Sequence, residues 1–297
     1  MPRRGDGALA QTAVSRQQTR WLARRQLLVI LTWIVNDFAV IAHRGLTQEA
    51  PGNTLESFRA AREAGADGVE IDVRLTSDGV PVVHHNWYVN EDETEPRPIH
   101  RMSAAALRDQ RVCHERSDWS GRYAIPTLAE VLEEFAGRIK LEVEMKGPEP
   151  ELVEAVVTQL RRFPDSWSSV EITSDMPSLL ARVHVVAPQL ETALLTGGAP
   201  RYMRPDAIGY ATVQLARQAG VRRVHIQREH LVNGVVDQLR AAGLTVHVYP
   251  VNDAEDMDIA RRFAIPEVVT DELRQVLALR AAAAPPTRPH IASRRHS

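Results

Sequence analysis

The segment that decides the fold is Gly68-Val-Glu-Ile-Asp-Val-Arg-Leu-Thr-Ser-Asp-Gly-Val-Pro-Val-Val-His-His85. Its first six residues form a short β-branched run, which is typical of a buried strand. No room for a helix follows, and Asp78-Gly79 between two apolar runs is a strong hairpin signal. A two-residue turn there predicts that Asp72 faces His85. Glu70 shares the face of Asp72 because side chains alternate along a strand.

Outward from this hairpin, short apolar runs alternate with amphipathic stretches. Strands are predicted at residues 38–42, 68–73, 139–145, 170–173, 190–195, 223–227, 244–249 and 268–270. Helices are predicted at residues 54–64, 150–162, 177–187, 206–219, 231–242 and 254–263. This alternation predicts an α/β fold, a (β/α)8 TIM barrel with a hairpin and an insertion after the second strand. An open doubly wound sheet is the alternative, disfavoured because no Gly-x-Gly-x-x-Gly turn follows the first strand.

The same pattern divides the chain into three parts. A basic and apolar extension covers residues 1–37, and the barrel covers residues 38–280. Residues 281–297 carry prolines, small residues and arginines, and we expect a disordered tail. Within the barrel, residues 86–127 form a polar insertion of the kind that usually covers a functional mouth.

Charge is unevenly distributed along these parts. The chain of 297 residues has a net charge of -2, yet residues 1–25 carry six arginines against one aspartate. Residues 288–297 add three arginines, so the part between the two ends is strongly acidic. An acidic core argues against nucleic acid as a partner.

Two features bear on location. Cys113 is the single cysteine, so no internal disulfide forms, which favours a reducing, cytoplasmic compartment. The apolar run 27–35 follows two arginines but is too short to span a bilayer, which takes about 20 apolar residues. Membrane association through peripheral contact of residues 21–35 is therefore the alternative.

Carboxylates follow two of the predicted strands. Glu70 and Asp72 share one face, and Glu142, Glu144 and Lys146 alternate so that all three point the same way. Side chains near the carboxyl ends of barrel strands line the active site in TIM-barrel enzymes. Glu70, Asp72 and Glu144 would supply a hard oxygen set suited to Mg²⁺ or Ca²⁺. For the deeper Glu142, a structural ion pair and a functional role are equally favoured.

A histidine and an arginine end the first predicted strand as His43-Arg44-Gly45. The guanidinium of Arg44 can fork onto a phosphate, and Gly45 permits a close approach of the backbone to a ligand. The histidine beside them is then a candidate for proton transfer. No such neighbours surround the remaining histidines of the later strands and helices, for which we expect structural roles: His184, His225, His230 and His247.

An ordered set of motifs resembles the glycerophosphodiester phosphodiesterase family. In chain order, the motifs are His43-Arg44-Gly45, Pro51-x-Asn53-Thr54, Glu70-Ile-Asp72-Val73, Thr76-x-Asp78-Gly79, Val83-His84-His85, Ile125-Pro-Thr-Leu128, Glu144-Met-Lys146, Val251-Asn252 and Val269-Thr270-Asp271. The resemblance implies a TIM barrel of the phospholipase-C-like phosphodiesterase superfamily and a divalent cation. It also implies hydrolysis of small glycerophosphodiesters to sn-glycerol 3-phosphate and an alcohol.

The resemblance also implies a role for each matching residue. The metal ligands are Glu70, Asp72 and Glu144. The acid–base pair is His43 and His85, with His43 expected as the base. The substrate and phosphate contacts are Arg44, Lys146, Asn53 and Tyr249.

Three of the motifs depart from the family pattern, at four residues. Gly52 stands in place of a glutamate, Asn86 in place of an aspartate, and Tyr249-Pro250 in place of a tryptophan and a threonine. These departures leave two alternatives to glycerophosphodiester hydrolysis. One is a phospholipase D-like activity on lysophospholipids or sphingolipids, which the apolar run near the N-terminus favours. The other is a non-catalytic phosphate-binding barrel, which the loss of two carboxylates favours.

Overall fold

The computed structural model describes residues 38–89, 96–108 and 123–283. The expectations for the extension 1–37, including membrane contact through residues 21–35, lie outside these ranges. So do Cys113, parts of the insertion and the tail beyond residue 283. Within the described ranges, no helix is long and apolar enough to cross a membrane.

Eleven strands and nine helices make up the described part of the chain. The strands are β1 Ala39–His43, β2 Gly68–Leu75, β3 Pro81–Val83, β4 Tyr88–Val89, β5 Arg97–Pro98, β6 Lys140–Met145, β7 Val170–Ser174, β8 Glu191–Leu195, β9 Arg223–Gln227, β10 Thr245–Tyr249 and β11 Glu267–Thr270. The helices are α1 Leu55–Ala64, α2 Ala104–Arg108, α3 Leu128–Phe135, α4 Glu151–Leu160, α5 Pro177–Val186, α6 Pro205–Ala219, α7 Asn233–Ala241, α8 Ala254–Arg262 and α9 Leu273–Ala283.

Eight of the strands close into a parallel barrel. Their order around it is β1, β2, β6, β7, β8, β9, β10 and β11, and β11 pairs with β1 to complete the ring. The predicted (β/α)8 barrel is confirmed, with each strand within two residues of its expected bounds. The open sheet is wrong because β1 has strand partners on both sides.

Helix α3 is not among the predicted helices, although it carries a clear start signal. The Thr127 side chain accepts from the backbone N–H of Glu130, and the Glu130 carboxylate accepts from the Thr127 N–H. This reciprocal capping box marks a helix N-terminus. This helix start was not predicted because the capping box directly follows the long polar insertion. The last helix, α9, ends at Ala283, three residues past the expected barrel boundary at residue 280.

The predicted register of the β2–β3 hairpin is wrong by one residue. Val73 pairs with Val83, and the backbone N–H of His84 donates to the carbonyl oxygen of Asp72 at 2.9 Å. His84, rather than His85, therefore lies opposite Asp72. Since β3 ends at Val83, the alternation that would send His85 to the far face no longer applies.

A longer turn causes this shift. Residues 77–79 form a three-residue loop inside the hydrogen bond from the Thr76 N–H to the Val80 carbonyl (3.1 Å). The Thr76 hydroxyl donates to Asp78 Oδ1 at 2.6 Å and accepts from the Val80 N–H at 2.9 Å. These side-chain bonds stabilise the wider loop, which backbone propensity alone does not reveal.

The described part of the insertion packs on the hairpin rather than on the main core. Its strands β4 and β5 pair with each other, apart from the barrel sheet. A small separate apolar cluster lies beneath it, formed by Val82, Val89, Ile99, Met102, Leu107 and Ile125. The insertion is thereby fixed next to β2, the strand that carries two of the acidic residues.

Candidate active site

Three carboxylates from two neighbouring strands converge at one end of the barrel. Glu70 and Asp72 lie on β2, and Glu144 lies on β6, opposite Asp72 in the parallel register. One oxygen from each of the three lies within 4.8 Å of the other two. The structure thus brings together the three residues that we expected to hold a cation.

The donor set fits a hard divalent cation. Glu70 Oε1 and Asp72 Oδ1 are buried and have no hydrogen-bond donor among the described residues. Lys146 Nζ lies 3.7 Å from Asp72 Oδ1, whereas no cationic side chain of a described residue lies within ion-pair distance of Glu70 Oε1. A buried carboxylate oxygen without a hydrogen-bond donor is energetically costly, so it points to an electropositive ligand. Oxygen ligands alone are the preference of Mg²⁺ and Ca²⁺.

Burial and mutual repulsion disfavour ionisation of two of the three acids. Burial holds the pKa of Glu70 well above its usual range, and the charges of Asp72 and Glu144 add to the effect. Burial and the Asp72 charge together raise the pKa of Glu144 to about 7. A bound dication would relieve this repulsion, because a nearby positive charge favours the carboxylate form.

Arg44 and Lys146 supply positive charge beside the acidic centre. Arg44 Nε lies 2.9 Å from Asp72 Oδ2, and Lys146 Nζ lies 2.9 Å from Glu144 Oε1. Burial would raise the pKa of Asp72, but Arg44, His85 and Lys146 lower it to about 2. Both cationic side chains line the cavity above the acids, where an anion could reach them.

The loop after β1 is held in an unusual backbone conformation. Arg44 has φ 58°, and its N–H donates to Glu70 Oε2 at 3.2 Å. Gly45 has φ 87°, and a Cβ at this position would lie 2.5 Å from Ser57 Oγ. Left-handed non-glycine residues are uncommon and cluster at functional sites. The tight loop places the Arg44 side chain over the acidic centre.

His43 is oriented by a carboxylate that we did not predict as a site residue. Its Nδ1 lies 2.6 Å from Asp271 Oδ1, and its Nε2 lies 3.8 Å from Glu70 Oε2. Asn252 fixes Asp271 in turn, donating to Oδ2 at 3.3 Å and accepting from its N–H at 2.9 Å. The hydrogen bond to His43 lowers the pKa of Asp271. The signal for Asp271 was its position directly after β11, at the active end of the barrel.

The two adjacent histidines of the hairpin differ in environment. His85 Nδ1 lies 2.6 Å from Asn86 Oδ1, and its imidazole interacts electrostatically with Asp72. Burial lowers the pKa of His85, although the Asp72 charge opposes this change. His84 Nε2 lies 3.2 Å from the Tyr88 carbonyl oxygen, and burial lowers the His84 pKa to about 4. His84 is therefore neutral, and the negative charge of Asp72 acts on both imidazole rings.

Asn53 lies behind Asp72 rather than on the cavity wall. Its Nδ2 donates to Asp72 Oδ2 at 2.8 Å, and its Oδ1 accepts from the Asp72 N–H at 3.1 Å. Asn53 was expected to contact substrate, but both ends of its amide are used to position Asp72. Its left-handed backbone, with φ 62°, makes this double contact.

Removing the Asn53 amide should weaken cation binding. We choose Asn53→Gly because glycine tolerates the left-handed backbone. Loss of a partner that orients a metal ligand typically costs about 10- to 100-fold in metal affinity. Titration calorimetry with Mg²⁺ and Ca²⁺ measures the change, with Asn233→Gly on an exposed position of α7 as the control. An unchanged affinity in Asn53→Gly would contradict this positioning role.

A cavity of about 270 Å³ opens above and between these residues. Tyr249, Leu195 and Val269 form its less polar wall. The Tyr249 hydroxyl donates to the Thr196 carbonyl oxygen at 2.8 Å, and burial raises the pKa of Tyr249 to about 12. Tyr249, an expected substrate contact, thus lines the cavity as a neutral, fixed ring.

The barrel interior below the site is charged instead of apolar. Single atoms of Glu171, His225, His247 and Glu267 lie within 4.8 Å of one another. Two cations already neutralise this cluster: Lys140 Nζ lies 2.5 Å from Glu267 Oε2, and Arg223 Nη1 lies 2.6 Å from Glu171 Oε1. We therefore interpret the cluster as a buried ion-pair network, which is the structural role expected for its histidines.

These features define a class of protein: a TIM barrel that carries three clustered acids, histidines and basic side chains at one end. Residues 43–275 match the Glycerophosphoryl diester phosphodiesterase family. The chain belongs to this family, and it is an enzyme that hydrolyses phosphodiesters.

Individual relatives support the same assignment. A Mycobacterium tuberculosis protein named "Probable glycerophosphodiester phosphodiesterase 1" is 30% identical over 243 residues, covering 76% of this chain and 86% of that protein. The crystal structure of glycerophosphodiester phosphodiesterase from Thermotoga maritima has a TM-score of 0.63 at 25% identity, covering 82% of this chain and 98% of the other. The fold alone is shared with a phosphodiesterase of Oleispira antarctica, solved in complex with its product sn-glycerol-3-phosphate, which has a TM-score of 0.69 at 24% identity, covering 81% of this chain and 96% of that one.

Proposed function

We propose that this enzyme hydrolyses glycerophosphodiesters to sn-glycerol 3-phosphate and an alcohol by metal-dependent acid–base catalysis. The observation that carries the proposal is the convergence of three acids within 4.8 Å, with His43 within 3.8 Å of one of them. Arginine and lysine side chains beside the same acids provide the charge that a phosphodiester needs. The family shared with the proteins above supports this reaction class.

The expected cation is Mg²⁺ or Ca²⁺, held by Glu70, Asp72 and Glu144. When bound, such an ion supplies positive charge that polarises a phosphoryl oxygen and stabilises the transition state. Arg44 and Lys146 then hold the remaining phosphate oxygens. Their fixed positions reduce the entropy lost on orienting the substrate.

His43 serves as the general base. Because Asp271 lies at Nδ1, the proton of the neutral ring resides there and Nε2 is free to accept another. The Asp271 carboxylate also stabilises the imidazolium that forms when His43 takes a proton from water or from the glycerol 2-hydroxyl. This arrangement favours His43 over His85 as the base, since the hydrogen bond at His85 Nδ1 is to an amide oxygen, Asn86 Oδ1, and not to a carboxylate.

His85 serves as the general acid that protonates the leaving alkoxide. Burial lowers its pKa, so its imidazolium releases a proton more readily than a free histidine does. The Asp72 charge opposes this change and favours the protonated ring.

Restoring a carboxylate beside His85 should shift the pH dependence. In Asn86→Asp, the new negative charge favours the protonated imidazole and raises the pKa of His85. A general acid acts only while it is protonated, so we expect the alkaline limb of kcat/KM to move to higher pH. A pH profile of glycerophosphocholine hydrolysis measures the shift, and Asn233→Asp is the control. Movement of the acidic limb instead would contradict the assignment of His85 as the acid.

A substrate panel tests the proposed function directly. The enzyme is assayed with glycerophosphocholine, glycerophosphoethanolamine and lysophosphatidylcholine, each with added Mg²⁺ or Ca²⁺ and again with a chelator. We expect release of sn-glycerol 3-phosphate from the first two and loss of activity with chelator. Preferred turnover of lysophosphatidylcholine would favour the phospholipase D-like alternative. Binding without turnover of any substrate would favour the non-catalytic barrel.

A further inference from the structure

An arginine that has no role in the proposed mechanism lies buried beside the acidic centre. Arg74 follows Asp72 by two residues on β2, so the two side chains project to the same face of the strand. Arg74 is only 5% exposed, and all three of its hydrogen bonds to described residues go to backbone carbonyl oxygens. A buried charge is costly unless it is well hydrogen-bonded, so these carbonyls determine where the guanidinium lies.

Two of the three hydrogen bonds hold the backbone of His85. Arg74 Nε donates to the His85 carbonyl oxygen at 2.9 Å, and Arg74 Nη2 donates to the same oxygen at 2.7 Å. Strand β3 ends at Val83, so His85 lies beyond the strand pairing that fixes the hairpin. Two donors on one oxygen fix the peptide group next to the Cα atom from which the imidazole projects.

The guanidinium is itself held from two further sides. Arg74 Nη1 donates to the Lys146 carbonyl oxygen at 3.1 Å, and the Lys146 N–H donates to the Val73 carbonyl oxygen at 3.0 Å. The Trp87 ring covers the guanidinium in a cation–π contact, with its centroid 4.2 Å from Arg74 Cζ. Arg74 therefore ties His85 to the ends of β2 and β6.

We propose that Arg74 is a positioning residue that holds His85 where its imidazole can protonate the leaving alkoxide. This inference rests on the proposed function, in which His85 is the general acid. A lysine at this position would keep the positive charge but lack the planar fork of N–H groups, so it could not reproduce the three hydrogen bonds. The inference implies that loss of Arg74 impairs departure of the alcohol.

The test uses a leaving group that needs no proton. p-Nitrophenolate departs as a stable anion, whereas the alkoxide of choline must be protonated as it leaves. Misplacement of the general acid should therefore slow hydrolysis of glycerophosphocholine much more than hydrolysis of the p-nitrophenyl diester of sn-glycerol 3-phosphate. His85→Ala, assayed with both diesters, shows how large this difference is when the acid is absent.

Arg74→Lys should lower kcat/KM for glycerophosphocholine by about 10- to 100-fold, because a misplacement of about 1 Å can cost about 100-fold. Its kcat/KM for the nitrophenyl diester should change by less than about threefold. Arg161→Lys is the matched control, since the exposed Arg161 directly after α4 also donates to a backbone carbonyl, that of Val186. We expect this control to keep the wild-type kcat/KM for both diesters.

Trp87→Ala is the second variant, in case replacement of the buried Arg74 prevents folding. Trp87 is 42% exposed, so its ring can be removed without opening the barrel core. Loss of the cation–π contact should lower kcat/KM for glycerophosphocholine by roughly two- to fivefold. The nitrophenyl diester should again be unaffected.

Each outcome supports or overturns the inference. A proportional loss with both diesters in Arg74→Lys would show that Arg74 supports the scaffold and not the acid, and would overturn it. Wild-type kcat/KM for glycerophosphocholine in Arg74→Lys would do the same, as it would in Trp87→Ala if Arg74→Lys does not fold. Equal losses with both diesters in His85→Ala would remove His85 as the acid, and the inference with it. No hydrolysis of either diester by the wild-type enzyme would instead remove the proposed function.

Discussion

Glu70→Gln should lose both cation binding and activity. The substitution keeps the shape of the side chain but removes one buried carboxyl group, a candidate anionic ligand, from the three-acid centre. Because the proposed cation neutralises the phosphate in the transition state, we expect kcat to fall by about 10³-fold or more. Calorimetry with Mg²⁺ and Ca²⁺ and steady-state kinetics on glycerophosphocholine measure the two effects together.

The control for this experiment is Glu63→Gln. Glu63 is exposed on α1, so its substitution removes the same charge without touching the barrel interior. Loss of activity in Glu70→Gln with unchanged cation affinity would show that Glu70 acts on the substrate and not as a ligand. Full activity in the presence of a chelator would contradict metal dependence altogether. Thermal unfolding of each variant separates these outcomes from simple instability.

His43→Ala should cause the second large loss. Removal of a general base typically costs about 10²- to 10⁴-fold, and we expect kcat rather than KM to carry the change. Asp271→Asn should lower kcat by about 10²-fold or more, because the amide no longer stabilises the protonated ring. Asp271 acts through His43, so the double variant should be little slower than His43→Ala alone.

This non-additivity is the decisive measurement for the His43–Asp271 pair. Their atoms lie 2.6 Å apart, so independent, multiplying effects would show that Asp271 works on something other than His43. His100→Ala removes an exposed histidine of the insertion and should leave kcat unchanged. Wild-type kcat in His43→Ala would refute the proposed base.

Local patterns were sufficient to predict the scaffold. The alternation of short apolar runs with amphipathic stretches of period 3.6 predicted all eight barrel strands. A strand that is buried against helices consists largely of apolar residues, so it can be identified from the sequence. Glu70, Asp72 and Glu144 were also predictable as a set. Their side chains follow the two-residue period of β2 and β6, and parallel register brings neighbouring strand ends together.

Features that depend on individual side-chain hydrogen bonds were not predictable in the same way. The hairpin register depended on a side-chain hydrogen bond from Thr76 that widened the turn by one residue. The role of Asn53 depended on a left-handed backbone that turns both ends of its amide onto Asp72. Neither feature has a signature in composition or periodicity.

Residue order and periodicity alone predicted the barrel, the acidic centre and the chemical class of the side chains around it. The folded structure was needed to show that Asp271 partners His43, that Asn53 holds Asp72, and that the cavity reaches down to Glu142. The reason is physical. The two-residue period of a strand fixes the face on which each side chain lies, and this period depends only on residues that are close together in the chain. Which atoms meet across the barrel depends on closure of β11 onto β1, which joins segments more than 220 residues apart.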